Sequence, residues 1–160
     1  MGKTVVVGMA DLNVVTDQDI ITTIGLGSCV GIALYDELKK VAGLAHVMLP
    51  DSKLITNNSN IAKFVDTATL ALVDKMIANG AKKFNIKAKL AGGAQMFAIN
   101  SCSDTMRIGD RNVESAIRVL TSMRIPILAK DVFKDYGRTV ILNTQGRFTI
   151  KTIDYGIKDI

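Results

Sequence analysis

A chain of 160 residues, 48% hydrophobic and holding two cysteines, has the length and composition for one domain over residues 1–160 with a real core; it excludes a disordered chain and a disulfide-stapled one. The formal charge of +5 comes from 20 basic and 15 acidic residues interleaved along the chain; with no tryptophan and no zinc-finger spacing, the pattern argues against nucleic acid as a partner. No apolar run approaches the ~20 residues of a membrane span, and the N-terminus lacks a basic region followed by an apolar stretch, so the expectation is a cytoplasmic protein without membrane insertion.

In chain order, Thr4 to Val7 is a short β-branched run and the first expected strand. Ala10 to Asp19 mixes polar and apolar residues and reads as a loop. Ile20 to Ile24 is a second strand, entering the glycine-rich turn Gly25-Leu26-Gly27-Ser28 that delivers Cys29. Two apolar runs, Val30 to Tyr35 and Val41 to Leu49, bracket the polar break Asp36-Glu37-Leu38-Lys39-Lys40 and predict a β-hairpin. Pro50 to Asn60 is rich in turn formers. Ile61 to Asn79 carries apolar residues at helical spacing, with Ser59 or Asn60 as a cap and Asn79-Gly80 as a stop.

Phe84 to Leu90 alternates as a strand with one wet face and runs into Gly92-Gly93-Ala94. Ala98 to Met106 reads as a polar loop, and its Cys102 has no assigned role. Ile108-Gly109-Asp110 opens a second helix, with Asp110 as its N-terminal cap and the stripe Val113, Ala116, Ile117, Leu120 and Met123. Ile125 to Val132, Thr139 to Asn143 and Phe148 to Ile153 are three closing strands. The total is about eight strands, mostly antiparallel, and two main helices: an α/β class. Two helices cannot cover both faces of so large a sheet, so the strands are expected to form a two-sheet core.

The chemistry concentrates at Cys29 and His46, the latter the only histidine. A hairpin centred near Leu38 pairs residues whose numbers sum to about 77, placing His46 opposite Gly31 and Cys29 opposite Met48. Cys29 and His46 then share a face as diagonal neighbours, roughly 7–8 Å apart at Cα, with Gly31 leaving room for the imidazole to lean toward the sulfur. A thiol beside an imidazole is a nucleophile with its base, and the histidine can lower the thiol pKa below its free value of about 8.5. Backbone N–H groups of the glycine turn could stabilise an oxyanion. The same residues also suit a buried core cysteine and a satisfied core histidine.

Other chemistries fail on motif. Position 30 is Val, which breaks a dinucleotide fingerprint begun at Gly25-x-Gly27. No GxxxxGK[ST] loop is present, and Ser28 lacks the flanking glycines of a nucleophile elbow. One histidine and two scattered cysteines do not complete an ordinary zinc site.

Four blocks resemble the CheD family of chemoreceptor glutamine deamidases: Gly25-Leu26-Gly27-Ser28-Cys29-Val30, His46-Val47-Met48-Leu49-Pro50, Gly92-Gly93-Ala94-Gln95-Met96-Phe97 and Ile108-Gly109-Asp110-Arg111-Asn112. They occur in the family's order between Gly25 and Asn112, and the resemblance covers the domain from about residue 5 to 145. The resemblance implies a layered α/β sandwich without a cofactor or metal. It implies hydrolysis of receptor glutamine amides to glutamate and ammonia, with Cys29 as nucleophile, His46 as its base, and Thr23 as a third catalytic residue that would orient His46 or a bound amide by hydrogen bonding. Gly27, Ser28, Gln95, Met96 and Phe97 would face the substrate. Arg111 and Asn112 match a signature but suit a structural role equally. The implied partners are the cytoplasmic helices of chemoreceptors and a CheC-type phosphatase. The rival reading is a binding module that regulates CheC with little catalysis of its own.

Overall fold

Every residue of two neighbouring strands, Val30–Asp36 and Val41–Val47, is buried. Strands covered on both faces belong in a middle layer, and the fold is built outward from this hairpin. The structure, a computed structural model, describes residues 2–96 and 107–160.

Ten strands are present among the described residues: β1 (Thr4–Val7), β2 (Asp11–Thr16), β3 (Ile20–Leu26), β4 (Val30–Asp36), β5 (Val41–Val47), β6 (Lys87–Gly92), β7 (Ile127–Val132), β8 (Arg138–Asn143), β9 (Phe148–Thr152) and β10 (Gly156–Asp159). They form two five-stranded sheets, ordered β1-β3-β8-β9-β10 and β2-β5-β4-β6-β7. The ladders are antiparallel except β1–β3 and β6–β7. The helices α1 (Val65–Ala78) and α2 (Ile108–Ser122) cover the outer face of the second sheet. The layers run sheet, sheet, helices, which is the expected α/β sandwich.

Alternation along β4 and β5 sorts their side chains between two cores. Val30, Ile32, Leu34, Val41, Ala45 and Val47 pack with the helix residues Leu72, Met76, Val113 and Leu120. Ala33, Tyr35, Ala42 and Leu44 face the first sheet and meet Ile21, Val140, Leu142 and Phe148. The hairpin register is Gly31 opposite His46 and Val30 opposite Val47, so paired numbers sum to 77 as expected.

Departures from the sequence reading have local causes. Asp11–Thr16 is a strand, not a loop. It is the edge strand on β5, with Val15 in the inter-sheet core and Leu12 and Val14 against the helix layer, so its polar residues Asp11 and Asn13 conceal the pattern. The second unexpected strand, β10, is exposed throughout and pairs only with β9. The first helix starts at Val65 rather than Ile61. Phe64 is extended and bridges Leu49, and Asn60 caps only a 3₁₀ turn over Ile61–Lys63. Lys83–Asn85 is a 3₁₀ turn whose N–H groups bond backward, leaving Phe84 exposed and starting β6 at Lys87. Asp110 lies in the first turn of α2 beside Arg107 without capping it.

The hairpin turn depends on one buried carboxylate. Asp36 Oδ1 accepts N–H bonds from Leu38 and Lys39 (3.1 Å each), and Oδ2 accepts from Lys82 N–H at 2.8 Å. Asp36→Ala would orphan three donors at once. It is expected to lower the free energy of urea unfolding by about 3 kcal/mol; a loss below ~1 kcal/mol would show that water replaces the carboxylate.

Candidate active site

Thr23 lies on β3 of the first sheet and His46 on β5 of the second, and both are buried. The Thr23 hydroxyl donates to the Val7 carbonyl at 2.7 Å, and the same oxygen stands 2.7 Å from His46 Nδ1. A hydroxyl has one proton and a carbonyl only accepts. The proton therefore goes to Val7, and Thr23 Oγ1 must accept from His46 Nδ1–H. This fixes the neutral imidazole as the Nδ1–H tautomer and leaves its lone pair on Nε2. That nitrogen is buried and has no hydrogen-bond partner among the described residues.

Cys29 precedes β4, and its side chain joins the inter-sheet core with Ala33 and Tyr35. His46 follows Ala42 and Leu44 on the same face of β5. The thiol and the imidazole thus look into the same layer, although no thiol–imidazole hydrogen bond is made. The space over Gly31 is not left for the ring: a Cβ there would stand 3.0 Å from Leu26 Cδ1, so Leu26 fills it.

Burial sets the charge state of the pair. Desolvation pushes the Cys29 thiol above its ordinary value, with its own backbone N–H opposing in part, and desolvation pushes His46 below its ordinary value. At neutral pH the resting pair is a thiol and a neutral imidazole, not the lowered thiol expected from residue types. A neutral histidine close to a thiol supplies no positive charge to stabilise a thiolate.

The turn before β4 is held by its carbonyls. Gly27 O accepts from Ala94 N–H (2.8 Å), Ser28 O from Asn112 Nδ2 (2.9 Å), and Cys29 O from Gly93 N–H (2.9 Å). Asn112, on the first turns of α2, also donates to Met48 O at 3.0 Å. Cys29 and Met48 are not a ladder pair: β4 and β5 part after Val30 and Val47, and Met48 N–H donates to Lys63 O. The helix reaches this gap because two glycines touch. A Cβ on Gly93 would meet Val113 Cγ2 at 2.3 Å, and one on Gly109 would meet Gly93 O at 2.6 Å. Sequence reasoning left Asn112 open between roles; only the packing of α2 onto the Gly92-Gly93 turn distinguishes it.

Of the other candidate residues, Met96 lies over Gly27, 3.2 Å from where a Cβ would be, and Ser28 is half-buried beside it. Gln95 N–H donates to Lys134 O. Phe97 and Cys102 fall outside the described residues. A groove of about 650 Å³, mostly apolar, opens beside the turn and is lined by Ile24, Gly25, Met96, Tyr136, Arg138 and Ile153 among others. No group of three His, Cys, Asp or Glu among the described residues is placed to hold a metal ion. Nor is any described helix long and apolar enough to cross a membrane.

The family profile described as CheD chemotactic sensory transduction matches residues 48–152. The chain is 56% identical over 145 residues to a protein of Lachnoclostridium phytofermentans named probable chemoreceptor glutamine deamidase CheD, covering 91% of this chain and 90% of that protein. It is 54% identical over 162 residues to the chemoreceptor glutamine deamidase CheD of Halalkalibacterium halodurans, covering all of both chains. A probable chemoreceptor glutamine deamidase CheD of Caldanaerobacter subterraneus is 51% identical over 155 residues, covering 96% of each.

His46 is the chain's single histidine, so its state is directly measurable. Nitrogen NMR is expected to find the Nδ1–H tautomer, with a protonation midpoint below the ordinary 6.5. In Thr23→Val the acceptor is gone and the tautomer preference should be lost. An Nε2–H ring in the wild type would contradict the hydrogen-bond assignment, and a midpoint above 6.5 would contradict desolvation as the dominant influence on the ring.

Proposed function

The chain belongs to the CheD family, and we propose that it hydrolyses the side-chain amide of glutamines on the cytoplasmic helices of chemoreceptors, giving glutamate and ammonia. One observation carries the reading: a tautomer-locked imidazole whose unpartnered Nε2 looks into the same buried layer as a cysteine thiol. A catalytic base needs a free lone pair at the pH of its work, and desolvation keeps His46 neutral there.

In this reading Cys29 Sγ attacks the amide carbonyl as His46 Nε2 takes the thiol proton. The bond formed is S–C, and charge gathers on the former carbonyl oxygen. The C–N bond then breaks, and His46 returns the proton to the departing nitrogen as ammonia, leaving a thioester. Water attacks the thioester with His46 again accepting a proton. The C–S bond breaks, the thiol regains its proton, and glutamate leaves. Thr23 touches no substrate atom in this sequence; it holds Nδ1 so that Nε2 stays available.

The neutral resting pair suits concerted proton transfer at the moment of attack. Substrate enters from the side of Gly27, Ser28, Gln95 and Met96, since Cys29 and His46 themselves are almost wholly covered. The adjoining groove takes the receptor segment that flanks the target glutamine. A CheC-type phosphatase is the second partner in this reading, and the site of action is the cytoplasm, where those receptor helices lie.

The test is incubation of a receptor cytoplasmic fragment with the wild type and with Cys29→Ala, followed by peptide mass spectrometry. Glutamine-to-glutamate conversion is expected from the wild type and none from Cys29→Ala. Activity against pH should keep its acid limb below 6.5, because His46 has to be neutral and its pKa is lowered. Equal conversion by both proteins would remove Cys29 from the mechanism. No conversion by either, on a receptor from the same organism, would favour a module that acts through CheC.

A further inference from the structure

Two of the three donors that hold the Gly27–Cys29 carbonyls belong to backbone; the middle one is the side chain of Asn112 alone. Its Nδ2 group uses one proton on Ser28 O and the other on Met48 O. Ser28 immediately precedes Cys29, and Met48 stands two residues beyond His46. One buried amide therefore bridges the strand ends that carry the thiol and the imidazole, where the β4–β5 ladder has stopped.

The bond to Ser28 has a second effect. A trans peptide sets its N–H antiparallel to its C=O. Drawing Ser28 O toward α2 turns the Cys29 N–H the other way, against its own sulfur, where it favours the thiolate. An N–H beside the attacking sulfur is the kind of donor that a developing oxyanion needs.

We propose that Asn112 is a positioning residue for the thiol chemistry: it fixes the separation of Cys29 from His46 and aims the Cys29 N–H at the developing oxyanion. The kinetic part rests on the deamidase reading above; the thiol part needs no substrate.

The experiment compares the wild type, Asn112→Ala and Asn112→Asp, with Met76→Ala as a control that weakens the α1 layer away from the turn. Alkylation of Cys29 by iodoacetamide is followed against pH by peptide mass spectrometry, beside thermal melting and receptor deamidation. Asn112→Ala is expected to move the alkylation midpoint upward and to lower kcat by roughly a hundredfold with KM little changed, as loss of an oriented oxyanion donor does. Asn112→Asp keeps the volume and loses both donors when ionised. It should show the same loss at neutral pH, and its deficit relative to the wild type at the same pH should narrow on acidification, when a protonated carboxyl can donate once more. Met76→Ala should lower the melting temperature without moving either readout.

A folded Asn112→Ala with the wild-type alkylation profile and kcat would overturn the proposal, whatever its melting temperature. Should it fail to fold, Asn112→Asp decides by the same readouts; failure of both to fold would assign Asn112 to the scaffold alone and also overturn it. If the wild type converts no receptor glutamine, the deamidase reading falls, and the alkylation profile still decides the role of Asn112.

Discussion

The arrangement depends on one hydroxyl proton. Thr23 stands between the two sheets and has a single proton to give, and the Val7 carbonyl takes it. Everything about His46 follows from that constraint: Nδ1 must donate, Nε2 must be the lone pair, and the ring cannot turn over without leaving two buried groups unsatisfied. An alanine at this position would leave the ring free to take either tautomer. The β1–β3 ladder aligns Val7 with Thr23, so the short first strand is part of the site: its Val7 carbonyl takes the Thr23 proton and the Val7 side chain joins the inter-sheet core. The Thr23–His46 bond also ties the sheets together at the point where the inter-sheet core becomes polar.

Cys29 is positioned by a different device, the capture of backbone carbonyls. A strand end that has lost its ladder partner exposes peptide groups that must be satisfied elsewhere. Here three consecutive carbonyls find three donors, from the Gly92-Gly93-Ala94 turn and from α2. The close contact of Gly93 with Gly109 brings the helix near enough for an asparagine to span the gap. Segments some eighty residues apart in the chain thus meet over one turn. Glycine is required at both contact points because a single methyl group would collide with backbone.

How much of this could be read from the chain varies with the scale of the cause. The hairpin register was legible because Val30 to Tyr35 and Val41 to Leu49 are long apolar runs around one short break, and a one-residue slip would have moved His46 to the helix face. The two-sheet arrangement followed from counting strands against helices. β2 was not legible, since an edge strand with Asp11 and Asn13 needs only part of its residues buried. Nor was the delayed start of α1: Phe64 is a helix-compatible residue held extended by Leu49, a tertiary contact no local pattern announces. Thr23 was legible by its offset from Gly25, Asn112 sat in a motif, and a Thr23–His46 hydrogen bond was within the expectation. Their backbone partners, the Val7, Ser28 and Met48 carbonyls, leave no trace in side-chain spacing.

The same distinction explains the thiol. Residue types put a base next to a cysteine and argue for a lowered pKa, whereas the fold places both groups in an apolar layer with no compensating charge. In such a layer separating a proton from sulfur costs more than in water, because the imidazolium and thiolate formed are poorly solvated. A free cysteine held this way resists small electrophiles and oxidants at neutral pH, since reactivity follows the thiolate fraction. The penalty falls only when charge can move on from sulfur as it forms. In the proposed deamidation an incoming amide provides that outlet: its carbonyl oxygen receives the negative charge, and the Cys29 N–H is the donor proposed to stabilise it. In that reading burial reserves the thiol for a substrate that fits the turn, and selectivity arises from the geometry of Gly27 to Cys29 rather than from a permanently activated sulfur.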